Sequence, residues 1–422
     1  MLEMKVFREN PDAIFDDLRL RNSSAEIAKD VIKYDKAWRE LVEEGNRLRA
    51  QRNNISREVG DLKKKGEDAT LIMEKMAGIK EKLILNENKT KKALDSRDRA
   101  RMRVPNLLDD DVPIGEKDEG NKEISLHGPE INKTKARSHQ EILDKIQGAD
   151  LKRAAKIAGR RFYFLTGDLA RLELALINYA VDSLYKKKYI LTIPPFFMNR
   201  GAYEGVVDLN DFEEVMYKIE DEDFYLIATS EHPLTSRFKD EILELKEEPL
   251  RYAGVSTNFR KEVGAHGLSD RGIWRVHQFS KIEQIVICKP DESKLMHEEL
   301  LGNAVELFNG LEIPFRIVDI CTGDIGTVAS KKYDLEAWMP ASQQWKEIVS
   351  ASNCKSYQSV RLNMRYRTSE GTDYPHTLNS TAIATTRALA AILENHQQPD
   401  GSVTIPSVLQ KWMGDQKIIE AK

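Results

Sequence analysis

Apolar or small residues recur at a four-three spacing from Ile27 to Leu62, through Val31, Tyr34, Trp38, Leu41, Gly45, Leu48, Ile55 and Val59, with Arg52 the interruption. That is a heptad seam on one helix face. A second seam runs through Ile72, Met76, Ile79, Leu83, Asn86, Thr90, Ala93 and Ala100; Arg97 interrupts it and two of its positions are polar. Between them, residues 63–68 read KKKGED, which predicts a helix stop and a tight turn. Two helices of similar length joined so closely predict an antiparallel hairpin. Its first helix, Ile27 to Leu62, reaches about 50 Å at 1.5 Å per residue.

Beyond Val104-Pro105-Asn106 the pattern changes. Residues 107–130 are acidic and contain Gly and Pro, as in a linker. Leu169 to Tyr185 predicts a buried helix, followed by a strand-like YILTIPPFF whose prolines mark an edge or a strand end. Residues 224–228, 251–262, 272–288 and 313–320 read as further strands, with loops suited to antiparallel neighbours, and Thr385 to His396 reads as a helix. The C-terminal body is therefore expected to be α+β with a mainly antiparallel sheet.

At 422 residues, two or more domains are the default expectation. The net charge of −4 gives no overall argument for nucleic-acid binding. Its distribution is more informative: Lys33 to Arg103 carries 20 Lys and Arg against 13 Asp and Glu, a net of +7 that leaves −11 elsewhere. A basic arm can grip a phosphate backbone, although a dimerisation coiled coil or a spacer also fits. The opening MLEMKVFREN has no signal-peptide core and no apolar run is long enough to span a bilayer, so a cytoplasmic location is expected. Cys288, Cys321 and Cys354 are far apart and lack metal-ligand spacing, so no zinc is expected.

Candidate chemistry gathers in FRKEVGAHGLSDRGIWRVHQFSKIE, residues 259–283. Read as strands, it puts Arg275, His277, Phe279, Lys281 and Glu283 on one face, and Arg260 with Glu262 on another shared face. Guanidinium groups match phosphate oxygens, a phenylalanine ring stacks on a base, and carboxylates accept from amines. Together they describe a site for a purine nucleotide beside an amine; an exposed, salt-bridged sheet face is the plainer alternative. Thr229-Ser230-Glu231 and the run from Lys346 to Ser350 favour the site, since Glu347 could hold a phosphate-bound Mg²⁺. No Walker A or GxGxxG pattern is present.

FRKE, its following loop and RVHQFSKIE resemble motif 2 of class II aminoacyl-tRNA synthetases; LNSTAIATTRALAAILENHQ resembles motif 3, and IPPFF after a long helix resembles motif 1. GRRFYFLTGDLARLELALINYA, TSE, YDLEAWMP, SNCKSYQSVRLNMRYR and QPDGSVTIPSVLQKWM resemble the seryl-tRNA synthetase family, as does the opening with its hairpin. The resemblance implies a class II antiparallel sheet with flanking helices, plus the coiled-coil arm. It divides the chain into a tRNA-binding domain (1–106, arm about 27–104), a linker (107–130) and a catalytic domain (131–422). The implied activity joins L-serine to ATP, then passes the seryl group to tRNA(Ser), with tRNA(Sec) as a further candidate acceptor.

Carried over residue by residue, the resemblance gives Arg260 the α-phosphate and Glu262 the adenine, with Lys261 between them in the ATP site. Phe279 stacks under the base, Val276 and His277 flank it, and Arg275 faces the β- and γ-phosphates. Arg387 holds the γ-phosphate and covers adenine; Glu347 and Ser350 bind Mg²⁺ and phosphate, with Ile348 and Val349 in the same segment. Thr229, Ser230, Glu231, Glu283 and Thr381 form the serine pocket. Arg260, Glu262 and Arg387 carry catalysis. A homodimer is also implied, in which the arm of one subunit serves the active site of the other.

The chain departs from the family where EISS is usual, since residue 349 is valine, and where motif 3 usually has glycine, since Ser380 and Thr386 stand there. Neither change removes a charge, so adjusted affinity is expected. Rival readings are a paralogue that loads a carrier protein, an inactive homologue that binds RNA, and a coiled-coil scaffold. The arm opposes the first, and the retained Arg260, Glu262, Glu283 and Arg387 oppose the second. The third leaves the C-terminal motifs unexplained.

Overall fold

The structure, a computed structural model, describes residues 1–207, 215–245, 248–262 and 272–422. They fall into two compact units, Leu2–Pro105 and Asn106–Lys422 with Met1. The loop 263–271 expected between the halves of motif 2 lies outside the described residues.

In the first unit, α1 (Met4–Glu9) and α2 (Pro11–Leu20) precede two long antiparallel helices, α3 (Glu26–Lys65) and α4 (Thr70–Arg101). The first runs three residues past the expected stop. Lys63, Lys64 and Lys65 complement the negative end of the helix, and Gly66 ends it at φ +73°, a conformation favourable to glycine. The polar interruptions of the second seam have structural work. Asn86 is buried and donates to the Leu41 carbonyl at 3.1 Å. It fits because Gly45 faces it: a Cβ there would come 2.6 Å from the Asn86 Oδ1. The Arg97 guanidinium lies 4.9 Å from the Trp38 ring centre and 3.4 Å from buried Asp35. Arg8 and Arg39 meet the same carboxylate at 2.7 and 3.1 Å. Burial pushes the Asp35 carboxyl up, but the three arginines outweigh it and hold it below its ordinary value.

The second unit is built on a sheet of β1 (Lys122–His127), β2 (Ile190–Thr192), β3 (Leu250–Phe259), β4 (Gln278–Cys288), β5 (Phe315–Asp319), β6 (Lys331–Met339), β7 (Gln344–Asn353) and β8 (His376–Ala384). Across the sheet the order is β1-β5-β6-β7-β8-β4-β3-β2, antiparallel except for the β2–β3 pair. The stretch expected as a linker, 107–130, thus supplies an edge strand. The strand expected from 272 begins at Gln278, and that expected to reach 262 ends at Phe259.

Alternation along β4 separates two environments. Ile282, Val286 and Cys288 enter the main apolar cluster with α5 (Gly167–Lys186), α7 (Ser293–Gly310) and α9 (Thr385–Asn395). The Gln284 amide reaches the Leu300 carbonyl of α7 at 3.1 Å. Phe279, Lys281 and Glu283 face a cavity instead. Over it sits the short helix α6 (Glu231–Ser236), and behind it α8 (Tyr357–Leu362). No helix of the described residues is long and apolar enough to cross a membrane.

Candidate active site

The cavity holds about 490 Å³. Its floor is β4, with β7 and β8 on one side and the end of β3 with α6 on the other. Gly254 pairs with Glu283 across the sheet, and a side chain there would strike the Ser230 hydroxyl at 2.5 Å. Glycine therefore lets the Thr229-Ser230-Glu231 turn lie directly on the strand.

Arg260 enters from the end of β3, its guanidinium 5.3 Å from the Phe279 ring centre. Its Nε donates to the Ala228 carbonyl at 3.3 Å. Glu262 has φ +48° and so does not follow strand alternation from Arg260, yet its carboxylate lines the cavity 3.5 Å from Arg275. Arg275 arrives from a turn, not from β4. On the opposite wall Arg387, on α9, meets the Glu347 carboxylate at 3.2 Å and its carbonyl at 2.9 Å, 5.7 Å from the Trp274 ring centre.

Glu347 and Ser350 are three apart, so plain alternation would put them on opposite faces. A register shift on β7 supplies the correction: Leu335 pairs with Val349, but Glu336 pairs with Glu347. Both residues line the cavity as a result. A second shift in β8, after Thr381, turns Ala384 toward the same space.

The far end is carboxylate-rich. Glu231 accepts from the Gln358 amide at 2.8 Å, and that glutamine accepts from Thr377 at 2.6 Å. Glu283 accepts from the Thr381 hydroxyl at 3.4 Å and pairs with Lys281 at 2.5 Å. Burial, reinforced by Glu283, pushes the Glu231 carboxyl up to about 7. Burial likewise lowers Lys281 and Arg260, while Arg387 adds to the second effect. Desolvation within the cavity pushes the Glu347 carboxyl up, but Arg387, Lys332 and Arg260 outweigh it and hold it below its ordinary value, although the side chain remains partly open to solvent. Beside it Asp334 is pushed up to about 7, chiefly by burial, with the neighbouring Glu347 charge acting in the same direction against Lys332.

Of the residues singled out from sequence, the cavity brings together Thr229, Glu231, Arg260, Glu262, Arg275, Val276, Phe279, Glu283, Glu347, Ile348, Ser350, Thr381 and Arg387. Four lie outside its lining. Ser230 is buried and donates to the Gly254 carbonyl at 3.3 Å. The Lys261 backbone N–H donates to Val215 at 3.0 Å. The ring of His277 packs on Phe162 at 5.1 Å, and its Nδ1 lies 2.8 Å from the Arg260 carbonyl. Val349 is buried in the apolar core, so the hydroxyl missing there is not missing from the cavity. Of the motif 3 departures, Thr386 lines the cavity, while Ser380 is buried and bonds to the Thr381 carbonyl at 3.2 Å.

Sequence reasoning assigned no role to Lys281, His232, Trp274, Lys332 or Asn379, all of which line the cavity. Lys281 had a signal, its even spacing from Phe279 and Glu283. Lys332 and Asn379 come from strands that were not anticipated.

Comparison with known proteins gives a consistent picture. Residues 1–108 match the seryl-tRNA synthetase N-terminal domain, and residues 216–396 match the tRNA synthetase class II core domain of the G, H, P, S and T enzymes. A serine–tRNA ligase of Methanospirillum hungatei is 49% identical over 99% of this chain and 100% of its own length. The crystal structure of seryl-tRNA synthetase from Pyrococcus horikoshii, complexed with ATP, superimposes with a TM-score of 0.94 at 44% identity, covering 100% of both chains. That of the cytoplasmic serine–tRNA ligase of Naegleria fowleri, in complex with AMP, gives 0.89 at 36% identity, covering 100% of this chain and 99% of the other.

Proposed function

The chain belongs to the class II seryl-tRNA synthetase family, and on that premise we propose that it activates L-serine with ATP and esterifies the seryl group to a serine tRNA. Selenocysteine tRNA is a second candidate acceptor. The observation that carries this reading is the polarity of the cavity. An arginine-and-aromatic half around Arg260, Phe279, Trp274 and Arg387 suits a nucleotide triphosphate, and a half built on Glu231, Glu283 and Thr381 suits a small amino acid with a hydroxyl.

In the first step the serine carboxylate attacks the α-phosphorus and pyrophosphate leaves. Arg260 belongs to the nucleotide half yet is close enough to interact with Glu283 and Glu231 of the other, and its charge there offsets that developing on the α-phosphoryl oxygens. Phe279 and Glu262 hold the adenine, while Arg275 and Arg387 hold the outer phosphates. Because the nucleophile is already an anion, positioning and electrostatic stabilisation are the main contributions of the protein. Transfer then breaks the mixed carboxylic–phosphoric anhydride of the adenylate: a hydroxyl of the terminal ribose of tRNA attacks the seryl carbonyl, forming an ester and releasing AMP.

Among the described residues, no three His, Cys, Asp or Glu side chains converge as a metal cage. Mg²⁺ carried by the nucleotide needs fewer protein ligands. The ionised Glu347 carboxylate and the Ser350 hydroxyl, hard oxygen donors turned to one side by the β7 register shift, fit that need. Such an ion would neutralise phosphate charge. The N-terminal unit is assigned to tRNA binding on its basic charge, and the working particle is assigned as a homodimer.

Amino-acid-dependent ATP–pyrophosphate exchange across the twenty amino acids tests the reading. Exchange with serine alone is expected, falling at least about a thousandfold in Arg260→Ala with the fold intact. Exchange with another amino acid, or unchanged activity in that variant, would overturn it.

A further inference from the structure

Lys281 has no place in the roles assigned so far, yet it is built into the amino-acid end of the cavity. Its Nζ lies 2.5 Å from Glu283 Oε2, and the two side chains are 7% and 3% exposed. The Thr381 hydroxyl donates to that same oxygen. Both partners engage Oε2, which leaves Oε1 for a ligand. Two residues apart on β4, Lys281 and Glu283 share a face by simple alternation, so the strand fixes the pair without a turn or loop.

The charged and titratable groups around this pair come from every side. Arg260 reaches in from the end of β3, Glu231 and His232 from α6, and Cys354 from just beyond β7. Tyr203 stands behind His232, its hydroxyl 3.0 Å from Nδ1. Burial and the nearby cations push His232 down to about 3, so it is neutral at working pH. Two cations, Lys281 and Arg260, therefore face two carboxylates, Glu231 and Glu283. If Arg260 is engaged by phosphate, Lys281 is the cation that remains to keep two buried carboxylates ionised side by side.

We propose that Lys281 is a positioning and specificity-determining residue for the amino-acid substrate. It aims Glu283 and sustains the paired negative charge, so that a ligand offering both an ammonium and a hydroxyl is held and one lacking the hydroxyl is not. The inference rests on the reading of this site as a serine pocket.

Two variants of the full chain separate charge from bond: Lys281→Met removes both, while Lys281→Gln keeps a hydrogen-bond donor and removes the charge. Serine and ATP KM values are measured by pyrophosphate exchange between pH 6 and 9, with alanine as the competing substrate. The expected result in both variants is a serine KM raised about tenfold to a hundredfold, with ATP KM within about twofold of wild type. The pH midpoint of serine kcat/KM moves up by about one unit, and discrimination against alanine narrows. A wild-type pH midpoint in the variants, or equal rises in serine and ATP KM, would overturn the inference and leave the serine reading standing. Should Lys281→Met fail to fold, Lys281→Gln carries the same test. Absence of serine exchange in the wild-type protein would overturn both readings together.

Discussion

Glu231 sits where stability and binding make opposite demands. Burial and the neighbouring Glu283 raise its carboxyl to about 7, while the Gln358 amide, Lys281 and Arg260 pull the other way. A carboxyl whose folded pKa exceeds its unfolded value favours folding at low pH, and that contribution is lost as pH rises from about 4.5 through about 7. At pH 8 the ionised, buried carboxylate costs about 3 kcal/mol. Binding runs in the reverse direction, since the ammonium of an amino acid needs the carboxylate charged. Two results are expected. Serine kcat/KM should fall toward tenfold per unit as pH drops below about 7 and level off above it. Glu231→Gln should raise the melting temperature at pH 8 while raising serine KM at least about tenfold, the exchange of stability for function seen when a strained site residue is relieved. A lower melting temperature in that variant, with a flat pH profile in wild type, would mean that the carboxylate is not under this tension.

At the scale of elements, the sequence was legible where one period runs unbroken. The four-three spacing predicted the hairpin, and Leu169 to Tyr185 and Thr385 to His396 predicted helices found at Gly167–Lys186 and Thr385–Asn395. Legibility failed where the period changes inside an element. Glu347 and Ser350 share a cavity only because β7 shifts register between them, and Arg275 reaches it from a turn before β4 begins. β6, β7 and β8 were not anticipated because their pocket-facing positions, such as Lys332, Glu347 and Asn379, are polar and break the apolar alternation of a half-buried strand. Exposed apolar side chains remain on α5 and along β2 and its continuation: Leu174 is 61% exposed, Ile190 53% and Ile193 73%. Exposed apolar side chains on a helix and on the edge strand that follows it suit a self-complementary interface between two copies. Light scattering is expected to give a particle of twice the 48.3 kDa chain mass, and Leu174→Glu with Ile193→Glu should reduce it toward a monomer. A wild-type monomer at working concentration would remove the basis for this interface.

For the whole molecule, charge is divided as sharply as fold: +7 on the arm segment from Lys33 to Arg103 and −11 on the remainder. Activation of an amino acid uses ligands that fit the cavity of the second unit, and every lining residue of that cavity belongs to that unit. Recognition of a polyanion much larger than the cavity calls for the basic unit and depends on displaced counterions. The two steps should therefore separate. At the base of the hairpin Arg97 meets Asp35 at 3.4 Å, which sets the ends of the two helices side by side, so the arm can be cut one turn below that pair and both helices removed together. Deleting Val31 to Ala100 and joining the cut ends by a short Gly-Ser linker is expected to keep serine-dependent pyrophosphate exchange within about threefold. It should lower kcat/KM for tRNA charging at least about a hundredfold. In the intact chain, raising salt from 50 to 200 mM should weaken tRNA binding steeply while serine KM changes little, because only the first interaction spans many phosphates. Equal loss of exchange and charging in the shortened chain, or salt-independent tRNA binding, would mean that the arm supports the catalytic unit and does not hold the nucleic acid.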